Sequence, residues 1–170
     1  TTDGFTPLMI AAASNSNPEV VTVLIEAGGE VEAKTTFGFT PLIFAAGGNS
    51  NPEVISVLIE AGAEIEAKES NGFTPLMAAA ASNSNPEVVT VLIEAGARLE
   101  AKNRDGWTPL ITAAGVSSNP EVITALLKAG ADAKAKDKFG KTALDHAKEN
   151  DRIYKTKAYW ELNDAFHNQD

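Results

Sequence analysis

The chain contains no cysteine. Disulfides and thiolate metal ligation are therefore excluded, and cysteine usage leaves the redox compartment open. Histidine is nearly as scarce. His146 and His167 both lie toward the C-terminal end with no metal-ligand spacing, so no metal and no other cofactor is expected. Aromatic residues fill only 6% of the 170 positions, which points to a core of Ala, Val, Leu and Ile. No apolar run approaches the roughly 20 residues of a bilayer-crossing helix, so no membrane span and no membrane partner are expected. There is no initiator methionine either. The chain opens at Thr1 inside a repeated pattern, so the lack of a leader segment excludes nothing.

Basic residues are sparse where acidic ones are dense. Residues 1–102 carry 13 acidic and 4 basic side chains, residues 103–136 carry 3 and 4, and residues 137–170 carry 7 and 6. The first stretch alone accounts for the net charge of −9. A surface of that sign repels a phosphate backbone and argues against nucleic acid as a partner.

What the chain does have is a period. Thr-Pro-Leu begins at Thr6, Thr40, Thr74 and Thr108 and returns as Thr-Ala-Leu at Thr142, each start 34 residues after the last. A constant period of this size predicts one supersecondary unit stacked on copies of itself. The units run over residues 1–34, 35–68, 69–102, 103–136 and 137–170, together one repeat domain spanning 1–170. In the first unit, Thr6-Pro7 starts a short helix, because the hydroxyl caps free N–H groups and proline at the first position loses nothing. Its alanines, Ala11 to Ala13, let a neighbouring backbone come close. Asn17-Pro18-Glu19 starts a second helix by the same device. There Val20, Val23, Leu24 and Ala27 recur at helical spacing, and Val21 and Ile25 widen the apolar face for a helix held between two neighbours. Gly28, Gly62, Gly96 and Gly130 end the second helices one period apart.

These residues carry a family resemblance. The pattern Gly-x-Thr-Pro-Leu-x-x-Ala-Ala, followed by Val-x-x-Leu-Ile/Leu-x-x-Gly, resembles the ankyrin repeat over essentially the whole chain. The resemblance implies an all-α solenoid of helix-turn-helix units with projecting β-turn fingers. Three features depart from the family pattern. The usual His after Thr-Pro-Leu is Met9, Ile43, Met77 or Ile111; the inter-helix turn is one residue longer; and the common finger Asn is Glu32, Glu66, Glu100 or Lys134. The fifth unit is more polar, and Ile153, Ala158, Leu162, Ala165 and Phe166 predict a capping helix of about two to three turns, with Tyr159 and Trp160 covering the last edge. The first unit has no counterpart cap. An upstream repeat is missing, or Phe5 and Leu8 tolerate exposure.

Comparison between units separates frame from surface. Residues 4–28 and 72–96 are identical except for Ile10 against Ala78. Variation falls in the fingers and first helices, at Thr2/Thr36/Ser70/Arg104/Lys138, at Asp3/Phe37/Asn71/Asp105/Phe139 and at Ser14/Gly48/Ser82/Val116. The family resemblance implies that such positions line a concave, partner-contacting groove. An aromatic row follows each finger glycine: Phe5, Phe39, Phe73 and Trp107. Half-exposed, four such rings would offer on the order of 300–500 Å², as large as the biggest patch on a typical monomer. Packing of the rings onto the fingers is the competing reading. Phe37, Phe39, Phe44, Phe73, Arg104 and Trp107 are the expected partner-binding set. The charged ladders Glu32/Glu66/Glu100 and Lys34/Lys68/Lys102/Lys136 read as solvated rails.

No residue set assembles acid, base and nucleophile. Asp145 and His146 are adjacent on a helix and so point about 100° apart, and the expectation is a solvent-exposed cap histidine in a protein that is not an enzyme. The expected function is a non-enzymatic scaffold for protein–protein interaction, with end-to-end self-association through the uncapped first unit as a further possibility. Two alternatives stand beside it: an engineered scaffold without a natural partner, and a regulatory or targeting segment of a larger enzyme or effector.

Overall fold

The computed structural model describes residues 3–168. Among them it forms ten α-helices and no strand, the only β feature being an isolated antiparallel bridge between Lys136 and Thr142. The helices fall into pairs: α1 (Pro7–Ser14) with α2 (Pro18–Glu26), α3 (Pro41–Gly48) with α4 (Pro52–Glu60), and α5 (Pro75–Ser82) with α6 (Pro86–Glu94). Then come α7 (Pro109–Val116) with α8 (Pro120–Lys128), and α9 (Ala143–Glu149) with α10 (Lys157–Asn168).

The starts follow from local chemistry. The hydroxyls of Thr6, Thr40, Thr74 and Thr108 accept from the N–H three residues on, at 3.2–3.3 Å. The amide oxygens of Asn17, Asn51, Asn85 and Asn119 accept from the N–H of the Glu two residues on, at 3.0 Å in all four. Each cap is worth about 1 kcal/mol. The outer helices end where Gly28, Gly62, Gly96 and Gly130 take left-handed φ values of 90–99°.

The odd-numbered helices pack side by side as an inner layer, and α2, α4, α6, α8 and α10 form the outer one. Ala45, Ala46, Ala79, Ala80, Ala113 and Ala114 are fully buried between inner helices, which explains why those helices are rich in alanine. Leu58, Leu92 and Leu126 are fully buried at the layer boundary, each contributing roughly 1.5–3 kcal/mol through removal of apolar surface from water.

Neighbouring pairs are also joined by polar ladders. Asn49 Nδ2 donates to the carbonyls of Ala12 and Asn15 at 2.9 and 2.8 Å. Asn83 repeats this on Ala46 and Asn49, and Asn150 on Ala114 and Ser117. The capping asparagines add a second rung: Asn51, Asn85 and Asn119 donate through Nδ2 to the carbonyls of Ser16, Ser50 and Ser84. The charged rails prove to be ladders as well, not merely solvated side chains. Glu32, Glu66 and Glu100 accept at 2.9 Å from the N–H groups of Glu64, Arg98 and Asp132 in the next unit along. Lys68 and Lys102 donate to the carbonyls of Lys102 and Lys136. A negative side chain recurs at this position because it satisfies a backbone donor left over by the neighbouring turn.

At the C-terminal end α10 spans 12 residues and packs on α8 and α9. Ile153 and, on the inner face of α10, Ala158, Tyr159 and Leu162 are buried, while Trp160 is 53% exposed and does not cover the edge. At the other end Leu8 is buried, whereas Phe5 remains partly exposed.

Candidate functional site

In the last four fingers the turn begins with a residue that is buried and polar. Thr35, Glu69, Asn103 and Asp137 are the four, and their side-chain oxygens accept from the N–H of Phe39, Phe73, Trp107 and Lys141 respectively. The aromatic row is thus anchored through its own backbone. Glycine at the turn is required by conformation and by space: Gly106 has φ 80°, and a Cβ there would lie 3.0 Å from the Lys138 nitrogen. Successive fingers are tied by main-chain bonds. Thr36, Ser70, Arg104 and Lys138 donate to the carbonyls of Asp3, Phe37, Asn71 and Asp105, at 2.8–3.1 Å. The tips are therefore a continuous, hydrogen-bonded edge rather than five loose loops.

The face between these tips and the first helices gathers the aromatics unevenly. Phe37 stands at its tip, 64% exposed. Two residues on, Phe39 turns inward and stacks on Phe44 of α3, with centroids 5.3 Å apart and planes 28° apart. Phe5 reaches the other side of Phe44 at 5.3 Å. Phe44 therefore contacts two rings, stacked with Phe39 and tilted against Phe5, and is half-buried. Phe73 is half-buried and, among the described residues, pairs with no other ring. Trp107 is not an open anchor: its six-membered ring lies over Gly115, and its indole sits 4.8 Å from His146. Arg104 projects from the fourth tip, exposed, with no ion-pair partner among the described residues.

His146 is not a solvent-exposed cap histidine. Its side chain is 11% exposed, and Nε2 lies 2.8 Å from Oδ2 of the fully buried Asp137 carboxylate. Burial pushes the Asp137 carboxyl up. Hydrogen bonds from His146, Lys141 and Phe139, with the nearby imidazole charge, outweigh that effect and hold it below its ordinary value of 3.8. Asp145 faces elsewhere, accepting from the Thr142 N–H and hydroxyl in a capping box. The two adjacent residues serve separate structural bonds.

Phe139, one of the variable finger positions but not in the expected partner-binding set, is at 79% exposure the most open large hydrophobic residue of the face. It lies three periods after Phe37 in the same register.

A family model for ankyrin repeats, in three copies, matches residues 8–103 and 80–157. No curated protein matches the chain. Ankyrin repeats generally mediate protein–protein interaction. The matched spans cover far more than half of the 170 residues, and the stacked helix pairs with hydrogen-bonded fingers have the form that the match requires. The chain belongs to the ankyrin repeat family.

Proposed function

We propose that this chain is a non-enzymatic protein-binding scaffold presenting a rigid concave groove of β-turn fingers and first helices. Phe37, Phe39, Phe44, Phe73, Arg104 and Trp107 form its partner-contacting set. The observation that carries this reading is Phe37, an exposed aromatic at the tip of a finger bonded on both sides to its neighbours. A rigid mount of this kind loses little conformational entropy on docking. Phe39 and Phe44 supply the wall behind it, Phe73 continues the wall, and Arg104 adds the side-chain type most often enriched with aromatics at binding hot spots. Trp107 contributes an edge of its ring while its face holds the fourth and fifth units together.

The test is comparative capture. Wild-type chain and Phe37→Ser are immobilised in parallel, and proteins retained from the same lysate are quantified. Proteins held by the wild type and lost from the variant support the reading. Identical retention by both overturns it.

A second contact, end-to-end self-association, has its own support at the N-terminal edge. Ile10 and Val23 are about 60% exposed there, beside a cavity of about 260 Å³ lined by Thr6, Pro7, Leu8, Leu24, Ala27, Gly28 and Gly29. Sedimentation over a wide concentration range reports on it: a concentration-dependent dimer lost in Val23→Glu supports the contact, and a monomer throughout overturns it.

A further inference from the structure

The ring pairs along the face follow a rule with one exception. The first-helix position that meets the aromatic row is occupied in turn by Phe44, Ala78, Thr112 and His146. Phe44 fills the space between Phe5 and Phe39, and His146 fills the space beside Trp107. Between them, Ala78 offers only a methyl group, and the Thr112 hydroxyl turns back to the carbonyl of Thr108 at 2.9 Å. Phe73 lies in this stretch, and it is the aromatic of the row without a ring partner among the described residues. Thr112 is fully buried, whereas Ala78 is partly exposed. The row therefore lacks a ring over Ala78, on the Phe39 side of Phe73, where one further apolar side chain would fill the hollow that Phe44 fills one unit earlier.

Charge along the tips is also ordered. The first tip carries Asp3, the next two carry Thr36, Phe37, Ser70 and Asn71, and the last two carry Arg104, Asp105, Lys138 and Phe139. In a chain of net charge −9, Arg104 and Lys138 are exposed on adjacent tips without an ion pair among the described residues. Other charges near this end are committed: Lys141 to Glu149 at 2.8 Å, and Lys148 to Asp145 at 3.7 Å. Neighbouring units are set about 8–10 Å apart, and an extended chain advances about 3.3 Å per residue. One finger thus corresponds to roughly three residues of an extended partner.

We infer that the partner is an extended segment carrying a large apolar side chain and, toward one end and on the same face, acidic residues about two to four and about six positions away. The apolar side chain enters the hollow over Ala78, against Phe73, and the carboxylates reach Arg104 and Lys138. This inference rests on the groove reading above and specifies which chemistry that groove selects. A basic segment lying toward Asp3, or a flat apolar surface resting on Phe37 and Phe139, are the competing occupants.

A random peptide library displayed on phage, selected against the full chain, tests it. The expected peptides combine an aromatic or leucine with nearby Asp or Glu and bind more weakly as salt rises. Their affinity should fall about tenfold in Ala78→Phe, which plugs the hollow with the ring already present at Phe44. It should fall by a similar factor in the double variant Arg104→Glu, Lys138→Glu. Melting temperatures of both variants are recorded, so loss of fold is not mistaken for loss of binding. Peptides that require Phe37 yet ignore both variants, or that are enriched in Lys and Arg, overturn the inference and leave the groove reading standing. Peptides insensitive to Phe37→Ser as well, or no selected peptide at all, overturn both.

Discussion

Asn83→Ala is expected to be among the most damaging polar substitutions in the chain. Asn83 is 3% exposed, and its side chain makes three bonds of 2.8 Å: Nδ2 to the carbonyls of Ala46 and Asn49, and Oδ1 from the N–H of Asn85. Alanine removes all three and leaves buried backbone groups unpaired. With about 1 kcal/mol for each net bond and a further desolvation cost for the orphaned groups, the loss is roughly 3–4 kcal/mol. In a protein of this size that lowers the melting temperature by about 6–16 °C. Because the bonds join the second and third helix pairs, the transition should also broaden as the two sides uncouple. Asn83→Asp sharpens the test. It keeps the acceptor for Asn85 but points a carboxylate oxygen at two carbonyls, so near neutral pH it should be at least as harmful as alanine. The reverse experiment uses the natural gap in the ladder. Ser117 occupies the equivalent place, and its hydroxyl bonds locally with Asn119. Ser117→Asn should restore the rung to the carbonyls of Ala80 and Asn83 and stabilise by about 1 kcal/mol. Thermal and urea unfolding of the three variants decide the matter. An Asn83→Ala protein within about 0.5 kcal/mol of wild type, the range of ordinary surface changes, would refute the ladder as a source of stability.

Leu58→Ala should cost roughly 2–5 kcal/mol, since Leu58 is fully buried in α4, which packs against α2 and α6; urea unfolding measures this, and a surface-like loss would contradict the packing. Acid should attack the fifth unit early. Asp137 and Asp145 both have lowered folded-state pKa values, so the stability they contribute is present above the ordinary value of 3.8 and lost as pH falls below it. Asp137→Asn should flatten that acid limb in circular dichroism melts, and an unchanged limb would remove Asp137 as its cause. Hydrogen exchange should show amides of residues 8–13 opening before those of residues 76–81, because α1 has an inner-helix neighbour on one side and α5 on both; equal protection in a dilute monomer would show the first pair to be as well held as the third.

Much of the frame was legible because it repeats. Thr-Pro and Asn-Pro starts, terminal glycines and a 34-residue step each have a local physical meaning, and agreement among copies removes the ambiguity of any single copy. The ladders were not legible for the opposite reason. Asn49, Asn83 and Asn150 look like ordinary turn residues, since nothing local distinguishes an amide that caps its own helix from one that bonds a carbonyl 34–37 residues away. Glu32 and Lys68 were misread on the same ground: exposed charge usually means solvation, and only the stacked neighbour reveals the backbone group that each one satisfies. His146 failed differently. Asp145 beside it drew attention, while the true partner, Asp137, sits nine residues away at the base of a finger.

The same stacking separates the positions that hold this protein together from those left for a partner. The ladder Asn and finger Glu residues recur where backbone groups of a neighbouring unit would otherwise go unpaired, so these positions are bound to one another along the chain. A substitution at one is felt by two units. The first-helix position held by Phe44, Ala78, Thr112 and His146 carries no such obligation toward the backbone, and it accepts a ring, a methyl, a hydroxyl or an imidazole on the same frame. Where it holds a ring, the finger aromatic beside it gains a ring partner; where it holds a methyl or a hydroxyl, as beside Phe73, that aromatic has none among the described residues. On the proposal above, binding surface in this chain is set by subtraction. If the proposed segment docks over Ala78, one substitution at that position should close the site without disturbing the ladders beneath.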